Sequence, residues 1–382
     1  MDIRREVEKR SNYMVRLRKH FHMHPELSMK EVETAKRIRE ELENMEIPYV
    51  RAGETGVIGF VGHGERVLAL RADMDALPVH EKTDVAYQSV NEGIMHACGH
   101  DAHMAALLGA ADILKTYEKE LKCTVKLIFQ PSEENCLGAK LICDHGHIDD
   151  VDEIFGLHVF GDIPCGQISI QPGPRMAATD IFKIKIIGRS GHAGKPQQCI
   201  DATVGAAATI MNLQSIVSRE INPLTAAVVT IGHVKSGTVH NIISGEAIIE
   251  GTTRTFSHEE GRQIEKSLKR IVTNTAQVYN ATAHIDYGRS LHPIVYNDEY
   301  VTEKALNAAL KIFPSSMIQD IPKMFLGEDF SVYQHRIPGT FAFVGAGNES
   351  MGRAYPNHHE CFNIDEKAVL HAAALYVAFA ME

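Results

Sequence analysis

The spacing of apolar and polar positions changes character along the chain. Up to about Asn44 it follows helical periodicity, interrupted at residues 22–27 (HMHPEL), where Pro25 lacks an N–H and predicts a break or restart. From Glu54 to His158 short apolar runs alternate with helical patterns. The clearest helix, AHMAALLGAADILKTYEKEL, opens beside Cys98 and His103. This alternation predicts an α/β fold. Residues 164–175, PCGQISIQPGPR, are rich in proline and glycine and predict a turn-rich crossing rather than an element.

The pattern then restarts. DIFKIKIIGR reads as a strand, CIDATVGAAATIMNLQSIVSRE as a helix, LTAAVVTIGHV and HNIISGEAIIEGTTRTF as strands, HEEGRQIEKSLKRIVTNTAQVYN as a helix and TAHIDYGR as a strand. That order, β-α-β-β-α-β, is a split βαβ or ferredoxin-like unit of about a hundred residues. After Leu291 the α/β character resumes, with GTFAFVGAG as a strand and DEKAVLHAAALYVAFAME as a closing helix. The simplest division is a discontinuous domain of residues 1–175 and 290–382, into which residues 176–289 are inserted.

Length agrees with two units, because 382 residues exceed what one core ordinarily holds. No apolar run reaches the roughly 18 residues of a membrane span, and the charged, helix-like N-terminus does not read as a signal peptide. Seven cysteines without framework spacing predict reduced thiols in a cytoplasmic protein. A formal charge of −10 argues against nucleic acid or anionic membrane as the main partner. An anionic substrate must therefore be attracted locally.

Four strand-like runs end in residues that could build such a local centre. They are RVLALRADMD with Asp73 and Asp75, IMHACGHDAH with Cys98 and His100, CTVKLIFQPSEE with Glu133 and Glu134, and EIFGLHVF with His158. In an open parallel sheet the carboxyl ends of the strands converge on one crevice. Thiolate, imidazole and carboxylate together suit a zinc-type site. His358 or His359, in YPNHHECF, could add an imidazole. Asp73 and Asp75 could ligate or could orient a ligand imidazole. The alternating histidines of residues 20–24 read as solvated and are set aside.

In order and spacing, HPELSMKEVETA, LRADMDALPV, MHACGHDAHMAALLGAA, FQPSEE, GLHV, MAATDIFKIKIIGRSGHAGKP, HNIISGEAIIEGTTRTF, GEDFSVY and HHECFNIDEKA resemble one family across nearly the whole chain. It is that of metal-dependent amidohydrolases acting on N-acyl amino acids, relatives of aminoacylase and glutamate carboxypeptidase. The resemblance implies a catalytic domain with a mainly parallel mixed sheet, flanked by helices, and an inserted lid and dimerisation domain. It implies two divalent ions per subunit, manganese or zinc, with cobalt or nickel as further options, on Cys98, His100, Glu134, His158 and His358. Glu133 becomes the general base and Asp75 the orienting carboxylate. His192, Asn241 and Arg254 match substrate-contacting positions of the inserted domain, His192 reaching the partner subunit's cleft in a homodimer.

The implied reaction is hydrolysis of the amide of an N-acyl amino acid by metal-activated water, Glu133 moving the proton. His192 would stabilise the carbonyl oxygen and Arg254 would bind the α-carboxylate. Two other readings stand beside it. An aminopeptidase or dipeptidase of the same superfamily would ordinarily carry H-x-D where Asp73 stands, and a binding protein would have a damaged ligand set.

Overall fold

The computed structural model describes the backbone of residues 1–382 and all side chains except those of residues 289–291. The chain forms two compact units, one of Met1–Arg175, Val295–Pro322 and Glu328–Glu382, the other of Met176–Ile294 and Lys323–Gly327. The expected boundary between residues 289 and 290 lies outside the described residues.

The first unit holds a seven-stranded sheet in the order Tyr49–Ala52, Gly56–Val61, Thr124–Gln130, Val67–Asp73, Glu153–Pro164, Gly339–Gly347, Ile168–Ser169. The four strands from Thr124–Gln130 to Gly339–Gly347 are parallel, and the outer pairings are antiparallel. Those four strands are buried at nearly every position, as expected of parallel strands covered on both faces, whose sequences are continuous apolar runs. Helix His100–Thr116 is buried almost all round and packs on helices Lys367–Ala380 and Ser11–Met23, which explains its lack of a polar stripe. Phe155 and Phe341 are fully buried in this unit, each stabilising it by about 1.5–3 kcal/mol.

Strand order sets the site. Asp73 and Gln130 are register partners at the ends of adjacent parallel strands, so the segments carrying Asp75 and Glu133–Glu134 leave the sheet side by side. His158 lies within its strand, opposite Phe343.

Residues 164–175 are not wholly a turn-rich crossing. Ile168–Ser169 pairs with Val344 and Phe343 at the sheet edge, and Gly173–Met176 pairs with Val295–Asn297. A strand of two residues is too short for alternation to be read from sequence.

In the second unit the strands are ordered Ala227–Ser236, Glu246–Thr255, Ala178–Ile187, Thr282–His292, all pairings being antiparallel. With helices Ala202–Ser215 and His258–Val278, the chain order is β-α-β-β-α-β. Strand Ala178–Ile187 turns Phe182, Ile184 and Ile186 inward against Leu213, Leu268 and Val272 of the helical segments, while Ile181 and Lys183 face outward. This is the period-two pattern of a sheet covered on one face. Among the described residues, no helix is long and apolar enough to cross a membrane.

Candidate metal centre

Cys98 and His100 are separated by Gly99, whose φ of 97° is left-handed; a Cβ there would meet Val159 Cγ2 at 2.4 Å. Only glycine fits this turn, and it lets two residues so close in sequence face one space. Cys98 Sγ lies 3.3 Å from His158 Nε2. His158 Nδ1 donates to the Val159 carbonyl at 2.8 Å and His100 Nδ1 to the Asp75 carbonyl at 2.8 Å. Each bond fixes a tautomer and leaves Nε2 as the free lone pair, the usual outer support of a ligand imidazole. His100 Nε2 is buried and has no hydrogen-bond partner among the described residues.

Glu134 Oε1 lies 3.4 Å from His358 Nε2. His358 has a φ of 69°, uncommon for a side chain other than glycine and asparagine and a conformation that collects at functional sites. Its amide donates to the Ala97 carbonyl at 2.7 Å. Asn357 donates to the carbonyls of Cys98 at 2.8 Å and Val159 at 3.1 Å, tying this loop to the segments that carry Cys98 and His158. His359 turns away, its ring stacked on Tyr355.

Candidate ligand atoms of Cys98, His100 and His158 lie within 4.8 Å of one another, as do those of Cys98, Glu134 and His358, and those of His100, Glu133 and Glu134. Cys98 is common to two of these groups. The soft thiolate, the free imidazole lone pairs, the carboxylates and the orphaned His100 Nε2 together fit divalent ions.

The Glu133 and Glu134 carboxylates both reach His100 but differ in their other surroundings. Glu133 is buried, grouped with Glu328 and Asp329; burial, then Glu328 and Glu134, push its carboxyl well above the usual carboxylate range. Asp75 accepts the Glu133 amide on Oδ1 and the Glu134 amide on Oδ2, both at 3.1 Å, and the Ser28 hydroxyl at 2.6 Å. Asp75 thus orients the glutamate pair through its carboxylate and His100 through its carbonyl.

Asp73 is occupied elsewhere. Its oxygens meet His103 Nδ1 at 2.6 Å and Arg71 Nη1 at 2.7 Å. Burial would raise this carboxyl, but His100, Arg71 and His103 outweigh it and hold it well below the usual range. Arg71 is fully buried and also binds Gln130, Glu328 and Asp329. The expectation that residues 20–24 are solvated fails at His22, which is buried with Nδ1 2.8 Å from Asp101 and Nε2 3.1 Å from Glu81. The signal was present, since Met14, Leu17, Arg18, Phe21 and His22 form one buried helical face.

His192, Asn241 and Arg254 belong to the second unit. His192 is exposed in a two-residue strand paired with Ile242–Ile243, and the Ala193 amide donates to the Asn241 carbonyl at 3.0 Å. His192 Nδ1 accepts the Gly194 amide at 2.9 Å. Arg254 stands apart from them on strand Glu246–Thr255, where Nη1 donates to Thr179 Oγ1 at 2.6 Å.

Known proteins share this arrangement at the level of sequence and fold. The chain is 40% identical over 376 residues to an IAA-amino acid hydrolase of Arabidopsis thaliana, covering 97% of this chain and 85% of that protein. It is 39% identical over 363 residues to the N-acetyl-L-cysteine deacetylase of Bacillus subtilis (strain 168), covering 94% and 85%. A crystal structure of a Bacillus subtilis protein described as a dinuclear metal binding peptidase from the M20 family superimposes with a TM-score of 0.86 at 35% identity, covering 98% of each chain. With residues 69–382 matching the model of that family, the chain belongs to peptidase family M20/M25/M40.

Proposed function

We propose that this chain is a metal-dependent hydrolase that cleaves the amide bond of N-acylated amino acids. Cys98, His100, Glu134, His158 and His358 would hold two divalent ions, manganese or zinc, with cobalt or nickel as further options. The observation that carries this reading is the convergence of five ligand side chains beside a buried Glu133. The relatives named for hydrolysis of IAA-amino acids and for deacetylation of N-acetyl-L-cysteine support the substrate class.

Bound ions supply Lewis acidity toward water and the amide carbonyl. Glu133 would remove the proton from the attacking water and return it to the leaving amine. Asp75 holds the backbone amides of Glu133 and Glu134, and so the turn that presents their carboxylates, one for the proton and one for the metal. Because His192 Nδ1 accepts the Gly194 amide, the neutral ring carries its proton on Nε2, where it can donate to a carbonyl oxygen. Asn241 would assist substrate binding and Arg254 would pair with the free α-carboxylate.

We read residues 1–175 and 290–382 as the catalytic domain, and residues 176–289 as a ferredoxin-like lid and dimerisation domain of a cytoplasmic homodimer, His192 serving the partner's site. The commitment of Asp73 to Arg71 and His103 speaks against an aminopeptidase or dipeptidase that uses that position as a ligand. Turnover of N-acetyl, N-benzoyl and indole-acetyl amino acids, measured beside dipeptides with a free amine on metal-reconstituted protein, tests the assignment. Acyl amino acids should be preferred; turnover confined to free dipeptides would reverse it.

A further inference from the structure

The segment HPELSMKE contributes no ligand, yet its last residue, Glu31, carries a carboxylate that is completely buried. Oε1 accepts the Met29 amide at 3.0 Å and the Ser132 amide at 2.9 Å, and Oε2 accepts the Thr55 hydroxyl at 2.9 Å. Ser132 has a φ of 55°. The three successive amides of residues 132–134 therefore all end on buried carboxylates, Ser132 on Glu31 and the other two on Asp75. Successive N–H groups around a left-handed residue form a concavity that favours anions. Here two side chains fill it from behind, and Ser28 of the same segment bonds to the second of them.

Resting on the hydrolase reading above, we infer that Glu31 is a positioning residue: it fixes the Ser132 amide, and so the direction in which Glu133 and Glu134 leave the strand. Pro131 supplies no amide at the preceding position, so Ser132 is the first point at which the turn can be held by its own N–H. Without Glu31 the Ser132 amide is buried and unpaired, and the left-handed turn loses one of its restraints. The reacting oxygen of Glu133 then wanders relative to the metal ligands.

Three substitutions separate reach from charge. Glu31→Gln keeps an acceptor at the same reach, Glu31→Asp keeps the charge but shortens the arm, and Glu31→Ala removes both. We expect Ala and Asp to lower kcat by about 10- to 100-fold with KM little changed, the loss that small misplacement of a catalytic group produces. Gln should stay within about threefold of the wild type. Independently of activity, amide exchange over residues 129–138 in the metal-free protein should accelerate in Ala and Asp but not in Gln. If Ala fails to fold, the Asp and Gln pair decides. Asp and Ala variants that unfold at the wild-type temperature with wild-type kcat and exchange would overturn the inference, as would a Gln variant as impaired as Ala. The exchange readout uses no substrate, so a wild type inactive on acyl amino acids sinks the hydrolase reading while the Glu31 result stands.

Discussion

The Asp73 carboxylate and the His103 imidazole meet at 2.6 Å, both fully buried, and His103 Nε2 accepts the Val159 amide at 2.9 Å on its other side. Val159 also receives the His158 Nδ1 proton on its carbonyl. One peptide neighbour thus couples the Asp73–His103 pair to the candidate ligand imidazole of His158. Asp73→Asn should cost about 1–3 kcal/mol in denaturant unfolding, because it weakens the buried hydrogen bonds that Arg71 and His103 make to this carboxylate, while Arg71 keeps Glu328 and Asp329. Metal content of the folded fraction should hold. Unchanged stability with lost metal would make Asp73 a ligand.

Cys98 should bind as thiolate, so thiol reagents should inactivate the metal-free chain and bound metal should protect it. The other six cysteines give this a control, since Cys98→Ser should remove the protection by metal. Protection that survives in that variant would assign the effect to another thiol.

Arg254→Ala should lower kcat/KM for substrates with a free α-carboxylate by about 10- to 100-fold, the worth of a hydrogen bond to a charged group. The corresponding amides should lose much less. Equal losses on both would show that Arg254 does not read the α-carboxylate.

Both ring nitrogens of His22 face carboxylates, Nδ1 at 2.8 Å from Asp101 and Nε2 at 3.1 Å from Glu81. Burial works against its charged form, but Asp101 and Glu81 outweigh it and raise its pKa above the ordinary value of 6.5. A raised folded value means the added stability is fully present below pH about 6.5 and is lost as pH rises through the folded value. Unfolding midpoints of the wild type and His22→Gln should differ most on the acid side and approach each other at high pH. A constant difference would mean the imidazole is neutral throughout.

Strand GTFAFVGAG matches Gly339–Gly347, and the β-α-β-β-α-β order of the second unit follows its alternation. Both were legible because apolar runs bounded by turn residues carry their own period. The candidate ligand side chains stand out in the sequence because each follows or interrupts such a run, and the fold brings them near one another. Arg71 was not: an arginine inside an apolar strand reads as a snorkelling charge until Glu328 and Asp329, more than 250 positions away, are seen to bind it. His22 was missed for a different reason. Its helical face was visible, but its carboxylate partners come from segments that only tertiary packing brings near.

The glutamate pair gives the most direct test of the metal centre. Glu133→Gln and Glu134→Gln are nearly isosteric changes at neighbouring positions, and metal content and acyl-amino-acid turnover are to be measured on both after reconstitution. Glu133→Gln should retain its metal and lose about 10²–10⁴-fold in kcat, as removal of a general base does, whereas Glu134→Gln should lose metal. Metal lost from Glu133→Gln and kept by Glu134→Gln, or full turnover in Glu133→Gln, would contradict the assignment.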